Sequence, residues 1–429
     1  MEERNSLNRR SGKSNRAGNN QGRMRFNADL HIHGRFSAAT SSDMNFPNLA
    51  KGAEQKGVQM VATGDCLHPG WLKEIRAMEE IEEGTFSEGN TRIFLTTEVE
   101  ADRRVHHLLM FPSVSSAEDF AERLGNAGNL KSDGRPRLHL TGEDLAQISK
   151  DTGAMIGPAH AFTPWTGMYA HFTSLKECYG DLARNIPYLE LGLSANTDYG
   201  DGIPELAKLT FLTNSDAHSP QPVRVGREFN TVEADDITYR ELVLAILRKK
   251  GRKFVRNVGL PPEEGKYNRS ACSRCFTQYG LERALSLRWR CVCGGSIKKG
   301  VRERAQELGT GKIIHPDHRP EYVYMIPLGE IIAKAVGHSS PFTGKVNSIW
   351  DSLVSRFGTE LAVLMEAPVK DIESIAGNSI ADAILAFREG RIEVVPGGGG
   401  RYGSILLPGE DRPAEASPMP KGQKSLFDY

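Results

Sequence analysis

The sequence predicts an α/β chain whose larger part is a metal-binding barrel, followed by a small cysteine-rich module and a helical C-terminal region. Three observations carry this expectation. From about residue 26 to 258, short apolar strand-like runs (58–63, 93–97, 105–111, 154–157, 188–191 and 209–213) alternate with helical stretches, the βα rhythm of a parallel sheet or barrel. Five of these runs contain or immediately precede a His, Asp or Glu, and barrels carry their chemistry at the C-terminal ends of their strands. Six cysteines in so long a chain are too few for a secreted disulfide framework, and four of them cluster between Cys272 and Cys293, which points to metal instead.

At 429 residues the chain has room for two to three domains, since domains run to roughly 100–200 residues. Lys and Arg balance Asp and Glu at 54 each, so any contact with nucleic acid must come from local patches rather than a global field. No apolar run reaches the roughly 18 residues of a membrane helix, and residues 1–25 lack the apolar stretch of a signal peptide. A cytoplasmic, nucleoid-associated protein with no membrane partner is expected. The predicted divisions are a disordered basic tail (1–24), the barrel (25–258), a cysteine module (259–310), a helical region (311–407) and a flexible tail (408–429). Pro261-Pro-Glu-Glu-Gly265 is read as the linker into the cysteine module, and the helical periodicity runs from Pro327 to Glu389.

Asp29-Leu-His31-Ile-His33 opens the barrel. Residues two apart on a strand share a face, so both imidazoles can reach one ion. A half-buried strand explains one such pair equally well, but the pattern recurs at later strand ends: Gly64-Asp65 with His68, Thr97-Glu98, Val105-His106-His107, Ala159-His160 and Ser215-Asp216-Ala217-His218. Seven of the twelve histidines lie in these motifs, which core histidines do not explain. Imidazole with carboxylate suits Zn, Mn or Fe, and a cluster this large fits two or three divalent ions, Mg included, that activate water for phosphoester hydrolysis.

Over about residues 26–258 the sequence resembles the polymerase-and-histidinol-phosphatase (PHP) domain, a distorted (β/α)7 metal barrel, through its opening Asp29-x-His31-x-His33 and closing Ser215-Asp216-Ala217-His218. The resemblance implies His31, His33, Glu98, His106, His160, Asp216 and His218 as ligands, with Asp65 or His68 in the second-strand slot. It also implies that Asp65, His160, Asp216 and His218 are needed for catalysis. Glu100 shares a strand face with Glu98, and His107 competes with His106. Many PHP domains carry a further ligand where this chain has Ala38 and Ala39.

A narrower resemblance, over most of the chain, is to the endonuclease Q family of DNA-repair enzymes. It rests on Asp29-Leu-His-Ile-His-Gly-Arg-Phe-Ser37, Gly64-Asp65 with His68-Pro-Gly-Trp71, Thr213-Asn-Ser-Asp-Ala-His218 and the cysteine module. It implies nicking of DNA 5′ to deaminated bases (uracil, hypoxanthine, xanthine) or abasic sites. The alternatives are a PHP phosphatase acting on a small phosphorylated metabolite and a DNA-binding protein with an inactive barrel.

Cys272-x-x-Cys275, fifteen residues and Cys291-x-Cys293 have the gross spacing of a ribbon holding one structural zinc, although the single-residue second knuckle is a departure. From Lys266 to Arg304 ten basic residues stand against two acidic ones. A solvated charged face is the ordinary reading of a short run. This excess is one-signed in a neutral chain, so Arg269, Arg274, Arg288, Arg290, Lys298 and Lys299 are expected on the DNA backbone. The aromatic loop after His160 offers Trp165 or Tyr169 as a stacking partner for an extruded base. At the C-terminus Gln423-x-x-Leu426-Phe427-x-Tyr429 resembles the peptide by which replication and repair proteins bind the PCNA-like sliding clamp, carried on a Pro-rich tether.

Overall fold

The computed structural model describes residues 22–411. Its strands in chain order are β1 (Met24–Asp29), β2 (Met60–Ala62), β3 (Glu79–Glu82), β4 (Thr85–Glu88), β5 (Thr91–Phe94), β6 (Thr96–Glu100), β7 (His106–Met110), β8 (Met155–Pro158), β9 (Tyr188–Glu190), β10 (Thr210–Leu212), β11 (Phe229–Ala234), β12 (Lys253–Gly259), β13 (Ala271–Cys272), β14 (Ile297–Lys298), β15 (Glu321–Tyr324), β16 (Glu393–Val395) and β17 (Ser404–Leu406).

The barrel closes through a ring of pairings. β1 runs parallel to β2, and β2 to β5. β6 continues from β5 and pairs antiparallel with β7, which pairs antiparallel with β8. The backbone of Ala161, just beyond β8, donates to Glu190 O, and β9 runs parallel to β10. Asp216 N then returns to His31 O at the end of β1. The βα rhythm predicts a parallel sheet or barrel. β6 and β7 depart from it because only residues 101–105 join them, a connection too short for a parallel crossover.

Two close approaches set the first two strand ends. Gly34 lies against the indole of Trp71, where a Cβ would come within 2.7 Å, and Trp71 donates to Thr63 O at the end of β2. Gly64 takes a left-handed φ of +58° with its α-carbon against Ile32 O. The first and last strands are tied by Asp29, whose carboxylate accepts Ser215 N and Gly226 N. Burial pushes that carboxyl up to about 6 against the opposing pull of those donors.

One continuous apolar core runs from Phe26 through the barrel to the C-terminal helices. These helices are Leu328–Ala335, Gly344–Phe357, Glu360–Met365, Val369–Ala376 and Asn378–Arg388. Lys56 and Glu360, both fully buried, pair at 2.7 Å across the junction, and Glu360 also accepts Leu328 N and the Trp350 indole. Breaking such a buried pair from one side costs about 3–5 kcal/mol. β15, inside the segment expected to be a separate helical region, instead adds to β12 of the barrel sheet.

The expected linker at 261–265 is likewise not an exposed tether. Pro261, Pro262 and Glu264 are buried, and the Gly-rich turn around residue 398 bonds back to Glu263 and Arg269. The cysteine module keeps a small core of its own: Cys272, Tyr279, Ala284, Cys291 and Ile297. Among the described residues no helix is long and apolar enough to cross a membrane.

Candidate metal centre

The strand ends bring six side chains around the Glu98 carboxylate. Oε1 of Glu98, on β6, lies 2.8 Å from His106 Nδ1 and 2.8 Å from His160 Nε2. Its Oε2 lies 3.3 Å from His33 Nε2. Asp216 Oδ1 is 3.1 Å from that same nitrogen, and His218 sits beside Asp216. Three groups of donor atoms result, each within 4.8 Å: His31, His33 and Glu98; His33, Asp216 and His218; Glu98, His106 and His160. Glu98 and His33 each belong to two of them.

These residues fit divalent ions. His31 Nε2, His33 Nε2 and Asp216 Oδ1 are buried with no hydrogen-bond partner, and buried polar atoms are rarely left so. Several lone-pair donors converging without a proton to share is what a bound cation resolves. Backbone strain accompanies them: His160 and Asp216 hold positive φ of 28° and 49°, a conformation that costs of order 1–3 kcal/mol and clusters at functional sites.

The electrostatics have the same origin. Burial alone would raise the Glu98 carboxyl, but His106 and its other imidazole neighbours hold it well below the usual range. Burial would lower His31, but Glu190, Glu98 and Asp216 raise it to about 9. His218 is lowered to about 4 by burial and by the charge of His33.

The alternatives left by the sequence separate in space. His107 points to the opposite face of β7, where Nδ1 meets Tyr179 Oη at 2.8 Å and burial lowers the ring to about 3. Glu100 lies further along β6, between His106 Nε2 and Arg137. Asp65 and His68, both expected as ligands, stand outside the three groups. Asp65 is spent on its neighbours: Oδ1 faces His33 Nδ1 at 3.1 Å, while Oδ2 accepts Gly34 N and Ser37 Oγ. It orients an imidazole from behind, as carboxylates behind metal-bound histidines do. His68 caps the helix Pro69–Ile75 by accepting Gly70 N, and its ring stacks on Phe36.

Two participants were not foreseen. Glu190, buried at the end of β9, accepts from His31 Nδ1 at 2.9 Å and from His160 N at 2.9 Å. Arg135 Nη1 lies 3.2 Å from Glu98 Oε2. A carboxylate closing the run 188–191 was the available signal for the first; nothing in the loop around Arg135 marked the second.

In the cysteine module the four sulfurs converge, with Cys272–Cys293 and Cys275–Cys291 Sγ separations of 3.5 Å. Thiolates about 2.3 Å from a tetrahedral zinc stand about 3.8 Å apart, so the short second knuckle still completes a set that fits. Hydrogen bonds from Thr277 lower the Cys275 thiol to about 6, towards the thiolate that zinc requires.

The basic residues divide. Arg288, Arg290 and Lys298 are exposed. Arg274, also exposed, donates to Cys293 O. Lys299 pairs with Glu307 and lies over the Trp289 ring. Arg269, expected on DNA, instead braces the module through Glu303 at 3.1 Å.

Between this module and the loop after His160 lies a cleft of about 390 Å³, lined by Phe162, Trp165, Tyr267, Lys298, Lys299 and Arg304 among others. Thr166 O of that loop accepts His106 N, which fixes the cleft beside the metal-site strands. Trp165 is 49% exposed and meets Tyr267 edge-on at 4.8 Å. Tyr169, the other expected stacking residue, is fully buried with its hydroxyl donated to Glu205; it packs the loop and does not face the cleft.

This ring of strands, with its shared carboxylate and histidine ends, defines an α/β barrel with a candidate metal centre at its strand ends and a four-cysteine module beside it. The family described as the MJ0043 C-terminal domain matches residues 327–391. The lesion-specific endonuclease PfuEndoQ from Pyrococcus furiosus is 46% identical, with a TM-score of 0.85 over 90% of this chain and 96% of that one. Endonuclease Q in complex with a 27-mer duplex bearing an abasic lesion at the active site is 45% identical, with a TM-score of 0.84 over 90% and 97%. The protein MJ0043 of Methanocaldococcus jannaschii is 46% identical over 57% of this chain but 31% of its own length, so the chain spans about a third of that relative. The chain belongs to the endonuclease Q family.

Proposed function

We propose that this protein is a metal-dependent DNA-repair endonuclease that cuts the phosphodiester 5′ to deaminated bases (uracil, hypoxanthine, xanthine) or abasic sites. The observation that carries this reading is the adjacency of three donor groups sharing His33 and Glu98 to a basic, aromatic-lined cleft. Hydrolysis of a phosphodiester calls for the first, and duplex binding with an extruded nucleotide calls for the second. The relative whose crystal structure holds a duplex with an abasic lesion supports the same substrate class here.

In this reading His31, His33, Glu98, His106, His160, Asp216 and His218 hold two or three divalent ions, Zn, Mn or Mg. When bound, these ions supply an activated water and neutralise phosphoryl charge. The chain's own part is to keep the donors convergent: Asp65 and Glu190 each take one ring nitrogen of a histidine, so that Nε2 points inward. Arg274, Arg288, Arg290 and Lys298 grip the DNA backbone, Trp165 stacks on the displaced base, and Cys272, Cys275, Cys291 and Cys293 hold one structural zinc. Gln423, Leu426, Phe427 and Tyr429 lie outside the described residues; on sequence alone we assign them to the sliding clamp. A peptide of residues 418–429 that fails to bind the clamp removes that assignment.

The decisive experiment incubates the pure protein with Mn, Mg or Zn and a duplex carrying one deoxyuridine, deoxyinosine or abasic site. A nick on the 5′ side of the lesion is expected. Hydrolysis of phosphomonoesters with the duplex left intact would replace this function with a phosphatase.

A further inference from the structure

Glu98 is surrounded by imidazoles and by one permanent cation. Arg135 lies beside it, yet the Arg135 side chain keeps 28% of its surface open while Glu98 has none. The guanidinium therefore stands at the edge of the donor cluster, between the buried carboxylate and the solvent from which a substrate arrives.

This position is built. On one side Gly134 N donates to Phe36 O, and Asp133 Oδ1 accepts both Ala38 N and Arg135 N. On the other side Glu100 N donates to Pro136 O and Leu138 N to Glu100 O, fastening the loop along β6. Gly134 approaches Asp65 so closely that a Cβ would lie 2.4 Å from its Oδ2. The segment carrying Arg135 is clamped at both ends against the elements that carry Glu98 and orient His33.

Charge counting then asks what Arg135 is for. The seven-residue donor set brings two carboxylates, Glu98 and Asp216. Asp65 and Glu190 stand behind its histidines, so two divalent ions match these four negative charges, and the guanidinium adds a positive charge beyond them. Glu98 answers that charge on one side; on its open side the guanidinium favours a further anion, and its planar fork matches the oxygens of a phosphate. Resting on the phosphodiesterase reading above, we infer that Arg135 is a substrate-contacting residue that grips a non-bridging oxygen of the scissile phosphate.

The test uses the full-length protein and its Arg135→Ala and Arg135→Lys variants. Metal content is measured by mass spectrometry and single-turnover rates on a lesion duplex; bis(4-nitrophenyl) phosphate serves as a lesion-independent diester. Arg135→Ala should retain the full metal content and lose about 100- to 1,000-fold in rate on both substrates, the scale for removing one donor to a developing oxyanion. Added guanidinium should restore part of that loss, and Arg135→Lys should recover only a fraction because a point charge lacks the fork. A phosphorothioate at the scissile position should slow the wild type in one stereoisomer more than the other, and Arg135→Ala should flatten that preference. Wild-type rates in Arg135→Ala, or metal loss in parallel with activity, would overturn the inference, the latter reducing Arg135 to a partner of Glu98. Cleavage of the small diester but of no damaged duplex by the wild type would defeat the lesion reading while leaving Arg135 to be judged on the diester.

Discussion

Oδ1 of Asp65 faces Nδ1 of His33 at 3.1 Å, and this contact fixes which nitrogen of that imidazole is free for a metal. Asp65→Asn should therefore weaken metal binding by about 10- to 100-fold, the usual cost of losing such a partner. His68→Ala, which removes a helix cap, a ring contact and a hydrogen bond to Lys131 O, should leave metal affinity near wild type, since the ring stands outside the three donor groups. Calorimetric Mn titrations of both variants check the contrast; equal losses would return His68 to the ligand set.

Asp216→Ala and His218→Ala remove donors and not merely their orienters. Nicking should fall by more than about 100-fold in each, beyond the range for an outer partner, while binding of lesion duplex in a mobility-shift assay stays near wild type. Nicking that survives in both variants would show that the ions sit elsewhere.

Trp165 and Tyr169 should behave oppositely. Trp165→Ala, at an exposed position, is expected to weaken binding of lesion duplex by about 1–3 kcal/mol, the scale of one base–aromatic stack, without changing thermal stability. Tyr169→Phe removes one hydrogen bond to the Glu205 carboxylate, which keeps its bonds from Leu175 N, and should cost about 0.5–1.5 kcal/mol of stability with lesion preference unchanged. Fluorescence-anisotropy titrations and thermal melts separate the two.

Cys272→Ser should lower the zinc content of the protein by one ion and abolish the ordered module, since a small core of five residues depends on metal for its folding. The barrel core does not share those residues, so hydrolysis of a small diester should persist while duplex binding falls. Retained zinc would show that the four sulfurs are not its site.

Glu264 is buried with Oε1 unpaired; burial first, and then the charges of Glu330, Glu228 and Glu263, push its carboxyl well above the ordinary value. The folded state therefore binds this proton more tightly than the unfolded chain, and stability declines as pH rises from about 4.5 through the raised folded value. Glu264→Gln should raise the melting temperature at pH 8, by about 2–4 °C for each kcal/mol regained, and make no difference near pH 4.5. Melting curves across that range decide it; a constant difference at all pH values would mean that repulsion and burial of charge are not the cause.

The barrel class, the paired donor residues at its first and last strand ends and the cysteine set were legible in the chain alone. Asp29-x-His31-x-His33 and Asp216-x-His218 could be read because alternation along an extended chain places such pairs on one face, and the four cysteines because their spacing suits one ion. Only the tertiary structure decided between Glu98 and Glu100, which alternation cannot separate: they share a strand face, and the register of β6 against β7 sets Glu100 opposite His106 and Glu98 opposite Leu108. It also decided that His106 and not His107 turns inward, that Asp65 stands behind His33, and that Glu190 and Arg135 join the site. Those two lie 159 and 37 residues from the side chains they touch. Local periodicity reports which face of a strand a residue occupies; what that face meets depends on how the barrel closes, and closure is a property of the whole chain.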